Sequence, residues 1–119
     1  MVFVLVNNMA DINKTVRINE LLALYQELLT PTQKECMVSY YVYDLSFGEI
    51  ASEHNISRAA VEDAIKKSCK KLDEYESKLH LLEKKEILLK KTAKLKEFAK
   101  NNEEIKVINE IEGSVKDGI

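Results

Sequence analysis

The chain has few residues that break a helix. One proline and three glycines stand among 119 residues, which argues for long uninterrupted helices. It has no run approaching the ~20 apolar residues of a membrane span, so no membrane insertion is expected. The apolar start Met1-Val-Phe-Val-Leu-Val lacks the basic lead and long apolar region of a secretory signal. A strand, an interface arm, and an upstream extension with Met9 as the true start remain open for it. Two histidines and two cysteines form no cluster with metal-ligand spacing, and no metal or other cofactor is expected. Cys36 and Cys69 each fall on a predicted inward face, as buried thiols of a reducing, cytoplasmic setting do. No glycine loop could cradle a phosphate, and no nucleophile, base and acid recur together. The adjacent pairs Glu62/Asp63 and Glu103/Glu104 point different ways on a helix. These absences argue against an enzyme.

Hydrophobic residues make up 45% of the chain and charged ones 32%, enough for a core and for helices with wet faces. From Arg17 the apolar spacing is helical: Ile18, Leu21, Leu22, Leu24, Tyr25, Leu28 and Leu29 share a broad face. Thr30 is a good cap, Pro31 suits a first helical position, and Gln33 completes a capping box. The next helix runs to about Tyr43, with Cys36, Met37, Tyr40 and Tyr41 inward. The three tyrosines Tyr40, Tyr41 and Tyr43 could stack on bases. Their spacing matches a core stripe, so packing is the reading we prefer.

The chain is organised around residues 44–67. Ser46 and Glu49 form a second capping box. The helix they open stops near His54, and Asn55 stands where a left-handed residue is needed. Ile56 fills the corner. Ser57 caps a longer helix whose Val61, Ala64, Ile65, Cys69 and Leu72 make one apolar stripe. Short helix, tight turn and longer helix define a helix-turn-helix, which presents the start of its second helix. Ser57, Arg58, Ala59, Glu62, Lys66, Lys67 and Lys70 are therefore the expected contact residues for nucleic acid or a partner.

Charge sharpens and limits that expectation. Residues 57–72 carry five basic and two acidic side chains, whereas residues 1–56 carry three and seven, and residues 101–119 two and five. The second helix is a basic island fit for phosphates. The whole chain, however, has a pI near 5.8, against about 9 or more for many DNA-binding domains. Base readout favours Arg, Lys, Asn or Gln early in the recognition helix. Ala59, Ala60, Glu62 and Asp63 stand there instead.

Beyond the stripe, Leu72, Tyr75, Leu79 and Leu82 keep three-four-three spacing, and a second set, Leu81, Leu88 and Leu95, recurs every seven residues beside Leu82 and Leu89. Leu72, Tyr75, Leu79, Leu82, Leu88 and Leu95 form the expected seam of a homodimer. His80 is read as a helix-end residue within the apolar cluster 79–82 that marks a bend or break, and Asn101-Asn102 as an interruption. The expected organisation is all-α. It comprises an N-terminal tail over 1–16, a helix-turn-helix domain over 17–72, a helical extension over 73–112 and a tail over 113–119.

Two family resemblances follow. Leu29-Thr-Pro-Thr-Gln-Lys, Asp44-Leu-Ser-Phe-Gly-Glu-Ile-Ala-Ser-Glu and Asn55-Ile-Ser-Arg-Ala-Ala-Val resemble the last, −35-reading domain of bacterial primary sigma factors. The departure falls on Ala59, Ala60, Glu62 and Asp63. A closer resemblance is to the YlxM-like family of small bacterial helix-turn-helix proteins. It is carried by Ile18–Thr30, Tyr40–Ala51, Ser57–Lys66 and Tyr75–Leu81. That resemblance implies a sigma-factor region-four-like helix-turn-helix bundle with a long C-terminal helical extension. It also implies an accessory role in co-translational protein targeting, because the family's genes commonly neighbour those of the signal recognition particle and its receptor. Nucleic acid, DNA or RNA, and particle components are the partners it implies, with sequence-specific DNA-binding regulation as the alternative.

Overall fold

Caps set the breaks in this chain. The computed structural model describes residues 2–118, with side chains over 12–117. Among them lie α1 (Val2–Tyr25), a 3-10 turn (Gln26–Leu28), α2 (Pro31–Tyr41), α3 (Phe47–His54), α4 (Arg58–Leu79), α5 (Leu81–Phe98) and α6 (Asn102–Gly118), with no strand. The Thr30 hydroxyl accepts from the Gln33 amide at 3.2 Å, and the Gln33 side chain accepts from the Thr30 amide at 3.1 Å. Pro31 opens α2 at no cost because its missing N–H would have had no helical partner. The chain forms two compact units, Met1–Lys78 and Leu79–Ile119.

In the first unit Ile18, Leu21, Leu22 and Tyr25 of α1 are buried with Leu29, with Cys36 and Met37 of α2, and with Ile50 of α3. From α4 come Val61, Ile65 and Leu72. Leu28 belonged to the expected apolar face but is exposed. The 3-10 turn holds three residues per revolution and so rotates Leu28 out of the α-helical phase. Tyr40 stacks on Phe47 and meets Tyr41 edge-on, both with centroids 4.9 Å apart. Tyr43, also assigned to packing, is exposed instead. It lies past the end of α2, where Asp44 turns the backbone left-handed at φ 59°. Burial raises the Cys36 thiol above its ordinary value, with Glu35 adding to the effect. Burial raises Cys69 as well, outweighing the Tyr41 hydrogen bond and Lys14, which pull it down. Neither cysteine is in a disulfide.

The expected boundaries shift at three places. The segment assigned to an N-terminal tail, 1–16, is helical from Val2. No proline or glycine precedes Pro31, and once Ile18–Tyr25 is fixed each added residue costs little nucleation. A strand at the apolar start is thereby excluded, while side chains before Ile12 lie outside the described residues. The boundary expected after Leu72 falls inside α4, which runs on to Leu79 because Tyr75 and Glu76 still bind the first unit. The Tyr75 hydroxyl donates to the Leu28 carbonyl at 3.1 Å, and the Tyr25 hydroxyl donates to Glu76 Oε1 at 2.7 Å. The tail expected over 113–119 is helical to Gly118, anchored by buried Val115.

The second unit is a hairpin of α5 and α6. Leu82 and Thr92 are buried on α5, Ile108 and Val115 on α6. Lys96 Nζ donates to Glu112 Oε2 at 2.9 Å. That hydrogen bond, first among the causes, holds the Glu112 carboxyl below its ordinary 4.5. His80 enters α5 in the left-handed region at φ 55°, so the break expected there is present.

Leu72→Ala should destabilise the chain by about 2–5 kcal/mol, read by urea unfolding, because the site is fully buried. Gly113→Ala should stabilise by about 0.5–1 kcal/mol, since the glycine is helical and an added Cβ meets open space. The Glu112 contribution should be complete above pH 4.5, fall away as pH drops through the lowered folded value, and vanish in Glu112→Gln. Thermal melts across that range would read it.

Candidate nucleic-acid interface

Three backbone hydrogen bonds and two side-chain caps build the presenting turn. The Ser46 hydroxyl accepts from the Glu49 amide at 3.1 Å, and the Glu49 carboxylate accepts from the Ser46 amide at 3.2 Å. That fixes where α3 begins. Its end is Asn55 at φ 53°, ψ 41°, with its amide bonded to the Ala51 carbonyl. The Ile56 amide bonds to the same carbonyl at 3.2 Å. A left-handed residue is required to bring both donors onto one acceptor, and Asn adopts that conformation more readily than most side chains. Ser57 then starts α4. Its hydroxyl accepts from the Ala60 amide at 3.0 Å and its carbonyl from the Val61 amide at 3.1 Å.

The inner face of α4 is a rail of buried residues: Val61, Ile65, Ser68, Leu72 and Glu76. They stand four, three, four and four residues apart, one stripe of a helix. The Ser68 hydroxyl turns back to the Ala64 carbonyl at 2.6 Å, so the hydroxyl is not left unsatisfied in the core. On one edge Lys71 donates to Gln33 at 3.1 Å, tying α4 to the cap of α2. On another edge the Tyr41 hydroxyl lies 3.8 Å from Cys69 Sγ.

With the inner stripe fixed, the outer face follows. Ser57, Arg58, Ala59, Glu62, Lys66, Lys67 and Lys70 are all exposed. Ala59, Glu62, Lys66 and Lys70 stand three to four residues apart and so line one side. Two of the lysines carry an acidic neighbour: Lys66 lies 3.9 Å from Glu62, and Lys67 lies 2.9 Å from Asp63. Exposed pairs of this kind are worth little to stability, but each acid offsets part of the local positive charge. Lys71, counted in the basic island, is spent on Gln33. Sequence reasoning missed two things here. One is the buried Glu76, which looks like a surface residue until Tyr25 is placed opposite it. The other is the Lys71–Gln33 bond, which joins positions remote in sequence. Among the described residues no group of His, Cys, Asp and Glu could hold a metal ion. None of the described helices is long and apolar enough to cross a membrane.

The capped turn and the outward basic helix make this a helix-turn-helix protein. The chain belongs to the YlxM/p13-like family of helix-turn-helix proteins, which matches residues 12–114. A UPF0122 protein of Pediococcus pentosaceus is 51% identical over 72 residues, covering 60% of this chain and 64% of that protein. UPF0122 proteins of Bacillus thuringiensis and Bacillus mycoides are each 46% identical over 94 residues, covering 79% of this chain and 86% of theirs. No solved structure matches.

Ser57→Ala should destabilise by about 0.5–2 kcal/mol through the lost cap. Asn55→Val, forced into the left-handed region, should cost about 1–2 kcal/mol, while Asn55→Gly should be tolerated. Chemical unfolding of the three variants would check the order.

Proposed function

We propose that this chain is a nucleic-acid-binding accessory protein whose contact surface is the exposed side of α4. The observation that carries the reading is the exposure of Arg58, Lys66, Lys67 and Lys70 together on a helix whose inner side is wholly committed to the core. Phosphate contacts need accessible cations on a rigid element, and this face supplies them. Ala59, Glu62 and Asp63 add almost no donors for base edges. Binding through charge and shape, to RNA or DNA, therefore fits better than promoter reading. The family resemblance supports placing the activity beside the signal recognition particle, as an accessory to co-translational protein targeting. Two copies would offer two α4 faces, as many helix-turn-helix proteins do, and exposed Leu79, Leu88 and Leu95 suit a homodimer.

The alternative is a sequence-specific DNA-binding regulator. It rests on the helix-turn-helix itself, with Glu62 or Asp63 accepting from a cytosine amine and an alanine touching a thymine methyl as its direct readout.

A salt-dependent comparison of duplex DNA, particle RNA and particle protein would test both readings. The charge reading expects nucleic-acid affinity that falls steeply with salt and varies little with sequence. Arg58→Ala/Lys66→Ala/Lys70→Ala should bind more weakly and with a log–log salt slope shallower by about 2–3. An operon-upstream duplex preferred over random sequence by a hundredfold or more would favour the regulator. Absence of binding to all three at low salt would overturn the proposal.

A further inference from the structure

The hairpin of α5 and α6 leaves one side apolar. Leu88, Leu95 and Phe98 on α5 and Val107 and Ile111 on α6 are between 38% and 66% exposed. Leu95, Phe98 and Val107 line a single open groove with Ile108 at its floor. Helical spacing ties the other two to the same side: Leu88 precedes Leu95 by seven residues, and Ile111 follows Val107 by four. Two helices cannot cover such a face themselves, since each already spends its inner stripe on the other.

The charges bordering the face name what covers it. On α5, Lys84 and Lys91 each stand four residues before Leu88 and Leu95 and so share their side of the helix. On α6, Glu103 stands four residues before Val107 and Glu110 three after it, which puts acids on the α6 side of the face. All four are exposed, and none is in an ion pair among the described residues. The whole helices follow suit: α5 carries six lysines and three glutamates, α6 two lysines and five acids. The α5 half of the face thus carries lysines among its apolar residues, and the α6 half carries acids among its own. Such a surface complements itself. Rotating a second copy by a half turn about an axis lying in the face, along the hairpin, sets α5 of each copy on α6 of the other, antiparallel. The lysine-bearing half then meets the acid-bearing half twice, with Lys91 of each copy near the level of Glu110 of the other, and the apolar residues pack between them.

We propose that the chain self-associates through this face, forming a four-helix bundle in which α5 of one copy packs on α6 of its partner. The proposal deepens the homodimer reading given above and is independent of which ligand α4 takes. It also corrects the expected seam of Leu72, Tyr75, Leu79, Leu82, Leu88 and Leu95. Leu72 and Leu82 are buried within their own chain, and the residues divide between α4 and α5 on either side of His80. Leu88 and Leu95 alone carry over to the new face. Helices of 18 and 17 residues are about 26 Å long, so the footprint is on the order of 500 Å² per copy, the small end of specific interfaces. Association in the micromolar range is expected.

Sedimentation equilibrium of the full chain, from about 5 to 200 µM, tests it. The wild type should dimerise. K91E sets acid against acid and E110K sets base against base, so each variant alone should dimerise more weakly than the wild type, with unchanged circular dichroism. An equimolar mixture of the two should recover the wild-type dimer, because position 91 of each copy then meets its opposite charge at position 110 of the other. Leu95→Asp should be monomeric. Variants that dimerise like the wild type, or a mixture that associates no more tightly than either variant alone, would overturn this interface while leaving a dimer of other geometry standing. A wild type that remains monomeric throughout would overturn the dimer reading as well. Neither result touches nucleic-acid binding by α4.

Discussion

The arrangement of the first unit depends on one constraint: α4 can bury only the stripe Val61, Ile65, Ser68, Leu72 and Glu76. The stripe is continuous from the first turn of the helix almost to its last, so the helix cannot roll without exposing leucine and burying lysine. Apolar burial at Val61, Ile65 and Leu72 contributes about 1.5–3 kcal/mol per side chain. The polar members hold the stripe in register instead. Glu76 is accommodated by the Tyr25 hydroxyl at 2.7 Å and Ser68 by the helix's own backbone. Which residues face solvent at the start of α4 is a geometric consequence of that rail.

The turn before α4 does the complementary job. Asn55 reverses the chain within one residue, and Ser57 closes the first turn of the next helix. Rail and turn together fix both the roll and the entry angle of the presented face. That face combines four accessible cations with an alanine and two acids. The composition suits phosphate contact in a modest field more than the reading of base edges.

Much of the fold was legible because caps and stripes are local. The boxes at Thr30/Gln33 and Ser46/Glu49, the left-handed Asn55 and the α4 stripe each depend on residues within a few positions of one another. The breaks at His80 and before Asn102 were visible for the same reason. What escaped was set by distant partners or by propagation. Nothing in Val2–Val16 advertises a helix by pattern, yet the absence of breakers lets α1 extend through it. Glu76 and Lys71 read as solvated charges until Tyr25 and Gln33 are brought alongside. The leucine periodicity after Leu72 was real but was assigned to one continuous surface. His80 divides it, and α6 takes up part of the α5 face. The exposure of Ser57, Arg58, Ala59, Glu62, Lys66, Lys67 and Lys70 was legible because a single buried stripe dictates the opposite side of a helix.

The Tyr25–Glu76 hydrogen bond has a kinetic side. Its partners are 51 residues apart, so it closes one of the larger loops in the first unit, and loop closure of that length weighs on the barrier to folding. The α5–α6 hairpin, by contrast, is assembled from neighbours in sequence. On a chain growing from its N-terminus, α1 must wait for nearly the whole of α4 to be made before its tyrosine finds the carboxylate. The basic face is therefore not locked in place until synthesis has passed Glu76.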